Sequence, residues 1–313
     1  PHTPTAPSTN SSPTTGKHRP KPPNIQPPRP AIRSSPDAYI QEAEPEEEEF
    51  CKAAGRLGVD PYAIPNEALA DTIEAFGETF QPRLLDELFA AADLSNIQAF
   101  GDHVVAFLAK GDTLELTLNT LRELKTKIQG SSISIAPQSK PWEEGYQAAR
   151  ALRETIGTQS DTAMDSVDAL GRVLEVESSE WHRAILQNGF QWKSIHAAMA
   201  VTKSDSPYFS VPRSYESGRV FALCRALFEY FATTDTAALV TDTYSERQKR
   251  NRAFAAEFIA PSNLIRDSIE STRLLTPDDI QELADQFGTS ELVIRHQVKN
   301  HNLAEIEESQ NFA

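Results

Sequence analysis

The chain has 313 residues, long enough for two domains or for one domain plus a tail, and its 45 acidic against 30 basic residues give a net charge of −15. That balance excludes a general polyanion binder, because neutralising phosphates needs clustered Lys and Arg, although one local basic helix could still touch DNA. Two isolated cysteines, Cys51 and Cys224, form neither a disulfide framework nor a zinc motif and point to a reduced cytoplasm.

No apolar run approaches membrane-span length, and no basic-then-apolar leader opens the sequence. The expectation is a soluble cytoplasmic protein with no membrane segment. The first residue is Pro1 rather than Met, as in a processed or partial chain.

Residues 1–45 hold 12 of the 21 prolines, with Ser, Thr and Asn between them, and predict a disordered tail that cannot bury enough surface to offset ordering entropy. Its Lys17, His18, Arg19 and Lys21 form a small basic patch, and its Pro27-Pro28-Arg29-Pro30 could adopt polyproline II. From Phe50 the apolar residues recur at helical spacing, broken at Gly58 to Pro65. The stretch 46–129 predicts an all-α domain of four or five helices, most strongly over Leu114 to Ile128. Residues 130–140 read as a linker.

Trp142, Tyr146, Ala149, Leu152 and Ile156 share one helical face, and a further helix is expected over 161–176. Ile195 to Val201 and Tyr208 to Val211 predict a hairpin. Phe221, Leu223, Cys224, Leu227, Phe228 and Phe231 then mark a strongly apolar helix. Thr236 to Thr243 reads as a loop or a helix end. Phe254, Ala255, Phe258 and Ile259 mark a second helix that Pro261 ends.

Thr276 is a good N-cap ahead of Pro277, and Ile280, Leu283, Ala284 and Phe287 form a stripe. Gly288 to Ser290 turns the chain into Leu292, Val293, Arg295, His296 and Lys299. The segment 276–303 therefore reads as a helix-turn-helix, followed by a Glu-rich frayed tail over 304–313. If it met DNA, Arg295, His296 and Lys299 would face phosphates, with Gln297 or Asn300 at base edges. The acidic chain opposes that use. The histidines His182, His196, His296 and His301 are scattered, and none has a second ligand at i+3 or i+4 in a supporting context. No phosphate loop or nucleophile elbow is present.

From about Trp142 to Leu303, roughly half the sequence, the chain resembles the ImmA/IrrE family of zinc peptidases. The resemblance rests on PWEEGYQAARALRE, MDSVDALGRVLEVE, FALCRALFEYF and RNRAFAAEFIAP, with FAAEFIAP (Phe254 to Pro261) and the downstream helix pair the most specific. It implies an α+β, mainly helical protein with a zincin-like domain over 141–275. Active members carry HExxH, in which two His on one helical face bind zinc and Glu acts as general base. Here Arg225 stands at the first His, Ala226 at the base, Glu229 at the second His and Arg250 at the third ligand. One frame earlier, Cys224, Arg225 and Phe228 would occupy the three helix positions. Neither frame keeps a zinc triad, because Arg has no lone pair for a metal and Ala cannot move a proton.

The resemblance thus implies a pseudo-peptidase without metal or cofactor. Its expected role is to regulate stress or mobile-element genes by binding a protein partner, repressor-like as in the family. The alternatives are a DNA-associated regulator using the C-terminal helices and a metallopeptidase with a divergent site. In place of zinc, Glu229 is expected to join Arg225 and Arg250 in an ion-pair cluster, or else these charges face solvent.

Overall fold

In the computed structural model the residues described are 45–62, 67–77, 79–93, 95–130, 140–157, 163–186, 194–269 and 274–307. The expected Pro-rich tail lies outside them up to residue 44, and the linker expected over 130–140 lies outside them except for Gly130, which ends a helix, and Lys140. From Pro45 onward the described residues form a single compact unit.

Five helices come first: α1 (Pro45–Leu57), α2 (Glu67–Gly77), α3 (Pro82–Ala91), α4 (Ile97–Leu108) and α5 (Asn119–Gly130). The helix expected to begin near Leu114 starts only at Asn119. Residues 114–118 belong to no helix or strand, with Leu116 and Leu118 buried and Glu115 and Thr117 exposed. That period-2 alternation belongs to extended chain and not to a helix. Ser206 Oγ and Glu180 hold the stretch, the latter accepting from the Thr117 N–H at 2.9 Å.

Next come α6 (Pro141–Ile156), α7 (Val167–Val173) and α8 (Ser178–Ala184). Pro141 opens α6 and Gly157, at φ 61°, closes it in the left-handed conformation that favours glycine. The helix expected over 161–176 is shorter than its apolar pattern. Ser166 Oγ accepts from the Ala169 N–H and fixes the start, and Glu175 at φ 54° ends it.

The sheet contains β1 (Ile185–Leu186), β2 (Ile195–Val201), β3 (Pro207–Ser210) and β4 (Ala237–Thr241), in the order β1-β3-β2-β4. β1 runs parallel to β3, while β2 is antiparallel to both β3 and β4. The hairpin β2–β3 lies where the residues predicted it. The segment 236–243, read from sequence as a loop or helix end, instead contains strand β4 over Ala237–Thr241. All five of its strand residues are buried, so it has no polar face to produce an alternating pattern.

Between and after the strands lie α9 (Glu216–Ala232) and α10 (Glu246–Ile259), then α11 (Ser262–Ile269), α12 (Pro277–Phe287) and α13 (Glu291–Asn300). Strands β5 (Leu274–Leu275) and β6 (Glu305–Ile306) pair in parallel. The protein is thus mainly helical with a small mixed sheet of four strands. One apolar core runs from Ala53 to Ile259 through the first five helices, the sheet, α9 and α10. A second gathers Ala260, Ile265, Ile280, Leu283, Ile294 and Val298 under the last helices.

Two close approaches place α10. Phe254 stacks on Phe258 and tilts against Phe228 of α9. On its other side α10 meets α6 at Gly145, where a Cβ would fall 2.9 Å from both the Ala253 Cβ and the Phe254 N, and closer still to the Arg250 carbonyl. Only glycine lets the two backbones come this near.

Candidate functional site

Helix α9 is buried along nearly its whole length, from Val220 to Phe231, with Phe221 only partly covered. A helix this enclosed must carry its polar side chains into the protein, and Arg225 and Glu229, one turn apart, are 1% and 0% exposed. Each therefore needs partners, since an unpaired buried charge is costly. The first half of α10 supplies them. Ser245 caps that helix by accepting from the Gln248 N–H, and Gln248 and Asn251, three residues apart, both point inward.

Arg225 donates from Nε to Asn251 Oδ1 at 2.8 Å, and from Nη2 to Gln248 Oε1 at 2.7 Å and to the Thr241 carbonyl at 2.8 Å. Asn251 Nδ2 donates onward to Glu229 Oε1 at 2.8 Å and to Gln248 Oε1 at 3.2 Å. Gln248 Nε2 donates to Glu87 Oε1 at 3.1 Å and to the Leu239 carbonyl at 2.8 Å. The Leu239 N–H returns a bond to Glu87 Oε2 at 3.0 Å. Arg247 Nε lies 2.7 Å from Glu229 and 3.4 Å from Glu87, and its Nη1 reaches Asp235 at 3.4 Å. One network thus joins α3, β4, α9 and α10.

The electrostatics follow from burial. Burial pushes the Glu87 carboxyl up to about 7, with Arg247 pulling it down and Glu229 pushing it further up. Burial, then Arg252, brings Arg225 down to about 9, which still leaves a guanidinium charged at neutral pH. Burial alone raises the Cys224 thiol far above its ordinary value, so it behaves as a small apolar side chain.

The cluster expected among Arg225, Glu229 and Arg250 forms only in part. Glu229 is buried and bound, but its cationic partner is Arg247, and Asn251 links it to Arg225. Arg250 turns the other way and pairs with Glu144 of α6 at 2.8 Å. Arg247 and Arg250 are three residues and about 60° apart around α10, and the second faces α6 instead of Glu229. Ala226 is fully buried in the apolar core.

Zinc does not fit these groups. Arginine supplies no lone pair, and the oxygens of Glu229 are already used by Arg247 and Asn251. Among the described residues no group of three or more His, Cys, Asp or Glu is placed to hold a metal ion. The histidines bind locally: His182 contacts Asp168 at 3.0 Å, His196 meets Asp242, and His301 lies 3.4 Å from Glu257.

A second buried carboxylate ties the C-terminal helices down. Glu257, 0% exposed, meets Arg150 Nε at 2.7 Å, Ser262 Oγ at 3.0 Å and Gln297 Nε2 at 2.9 Å. Burial pushes its carboxyl up, but hydrogen bonds from His301, Arg150 and Gln297 outweigh that and leave it below the ordinary value. Gln297 is therefore a buried clamp and not a base-reading side chain. Asn300 donates to Tyr146 Oη at 3.2 Å. Arg295, 3.4 Å from Glu291, His296 and Lys299 lie on the outer side of α13, partly or fully exposed.

Sequence reasoning missed Glu87, Arg247, Gln248 and Asn251. Two signals were present. Gln248, Asn251, Ala255 and Phe258 fall on one helical stripe, and Glu87 lies beside Leu84 and Leu88 on an otherwise apolar face. No protein-family model, curated protein or solved structure matches the chain.

Proposed function

We propose that the chain is a non-catalytic pseudo-peptidase of ImmA/IrrE type, a cytoplasmic regulator that acts by binding a protein partner, repressor-like as in that family. The observation that carries this reading is the fate of the matched metal positions. Arg225 and Glu229 hydrogen-bond within a buried polar network in which Gln248 and Asn251 have both ends of their amides satisfied. Such a network fixes helix against strand and leaves no group free to act as base or ligand. The order of hairpin, apolar helix and second helix also follows the order of the resembling segments, which supports a zincin-like arrangement of this half. The test is metal loading of the purified chain followed by dialysis and elemental analysis. Substoichiometric zinc, unchanged in Glu229→Ala, is expected. Stoichiometric zinc lost with that substitution would reinstate a divergent metallopeptidase.

A second reading, association with DNA, is favoured by one observation: Arg295, His296 and Lys299 share the outward side of α13. It requires DNA binding that weakens steeply with salt and is lost in the Arg295→Ala/Lys299→Ala double variant.

A further inference from the structure

The buried apolar residues gather in two separate cores. The larger runs as far as α10, and the smaller lies under α11 to α13 and the strand pair β5–β6. Phe221 packs against both. Each core holds its own elements together, so fastening one unit to the other falls largely to the polar seam between them. That seam is centred on Glu257, in the last turn of α10.

Glu257 accepts at Oε1 from Arg150 and Ser262, and at Oε2 from Gln297. Gln297 Nε2 also donates to the Ala260 carbonyl at 2.8 Å. His301, just past α13, approaches the same carboxylate: its buried Nε2 lies 3.4 Å from Glu257 Oε2. The imidazole packs on the ring of Tyr146 with centroids 4.5 Å apart, and an aromatic face favours a cation. The other titratable or charged groups facing the carboxylate are Arg150 and Arg153 of α6. α11 adds only Ser262, and Arg295, His296 and Lys299 of α13 lie on its outer side. Arg153 donates to the Phe258 carbonyl at 2.7 Å. Arg150 is 54% exposed, so water weakens its charge and leaves the buried carboxylate able to hold a second cation.

We propose that His301 and Glu257 form a proton-operated latch that fastens the C-terminal unit, α11 to α13 with β5 and β6, to α6 and α10. An imidazolium offers Glu257 both an N–H donor and an opposite charge, whereas the neutral ring offers no charge. The fastening is therefore strongest where the imidazole is charged and weakens as rising pH removes that charge. Glu257 stays ionised across that range: burial pushes its carboxyl up, but its hydrogen bonds outweigh burial and hold it below the ordinary value. Released, the unit keeps its own core, so it opens without global unfolding. The latch works through contacts within the chain and rests on neither functional reading.

The experiment is amide hydrogen exchange of the full chain at pH 6 and pH 8, read as protection factors so that the intrinsic exchange rate divides out. The native chain is compared with His301→Gln, which is neutral at both values. At pH 6 the native chain should protect residues 277–300 about fivefold or more better than the variant, and at pH 8 the two should agree. Protection of β2 and β4 should be equal in both chains at each pH. Glu87 titrates in both chains, so its effect on stability cancels. His296→Gln, on the outer side of α13, should match the native chain throughout. A native-to-variant ratio that is the same at both pH values makes His301 a merely structural contact and overturns the latch. So does a ratio that changes equally in β2 and β4, or one that His296→Gln reproduces. If His301→Gln does not fold, His301→Lys decides: its lasting charge should protect 277–300 better than the native chain at pH 8, and no gain there overturns the proposal.

Discussion

Arg247 and Glu229 form an ion pair 2.7 Å long, with the carboxylate fully buried and the guanidinium 16% exposed. Removing one side of such a pair leaves the other charged and unpaired in the interior. Glu229→Ala is expected to cost on the order of 3–5 kcal/mol, measured by denaturant unfolding. Arg250→Ala, which breaks a partly exposed pair with Glu144, should cost about 1 kcal/mol or less. Combining Glu229→Ala with Arg250→Ala should be additive, whereas Glu229→Ala with Arg247→Ala should show strong coupling. Coupling between Glu229 and Arg250 would contradict the arrangement described.

The Glu87 carboxyl gives the fold a pH dependence of defined sign. Its ordinary value is 4.5 and burial raises it to about 7 in the folded chain. Between those values the folded state holds more protons than the unfolded one, so this group's contribution is complete below about 4.5 and is lost as pH rises through about 7. The loss is on the order of 3 kcal/mol. Glu87→Gln should flatten the fall in unfolding free energy across that window, whatever it does to stability at a single pH. An unchanged slope in the variant would place the titration elsewhere.

Gly145 sets the distance between α6 and α10. Gly145→Ala drives a methyl group into the Arg250 carbonyl and within 2.9 Å of the Phe254 N, so a backbone must move. The expected cost is about 1–3 kcal/mol, seen as a lower denaturant midpoint at constant slope. An alanine tolerated without loss would mean that the helices separate easily.

Glu257 should control the docking of the last helices. It bonds Gln297 of α13, Ser262 at the start of α11 and Arg150 of α6. In Glu257→Ala, amide hydrogen exchange over 277–300 should accelerate at least about tenfold relative to β2 and β4, because the orphaned donors no longer hold α13 in place. Uniform acceleration throughout the chain would indicate global destabilisation instead.

Much of the architecture was legible because local rules agree with the global fold. Thr276, Pro277 and Gly288 bound α12 as cap, first residue and left-handed stop, and the structure shows all three in those roles. The apolar period of α9 and the hairpin of β2 and β3 were equally plain. Legibility failed where burial was two-sided or period-2: β4 lacks a polar face, and Leu114, Leu116 and Leu118 resemble a leucine-rich helix until their alternation is noticed.

The candidate site was legible only in its first half. Periodicity put Arg225 and Glu229 on one face of a buried helix, and chemistry alone ruled both Arg225 and Ala226 unfit for metal work. Their partners depended on the rotation of α10 and on α3 crossing β4, which bring Arg247, Asn251 and Glu87 to them from 18, 22 and 142 residues away in sequence for Glu229. Composition and spacing determine which side chains must be buried and what chemistry each can perform. Which of several arginines meets a given carboxylate is decided by helix rotation and packing, where a shift of one residue turns a side chain by about 100°.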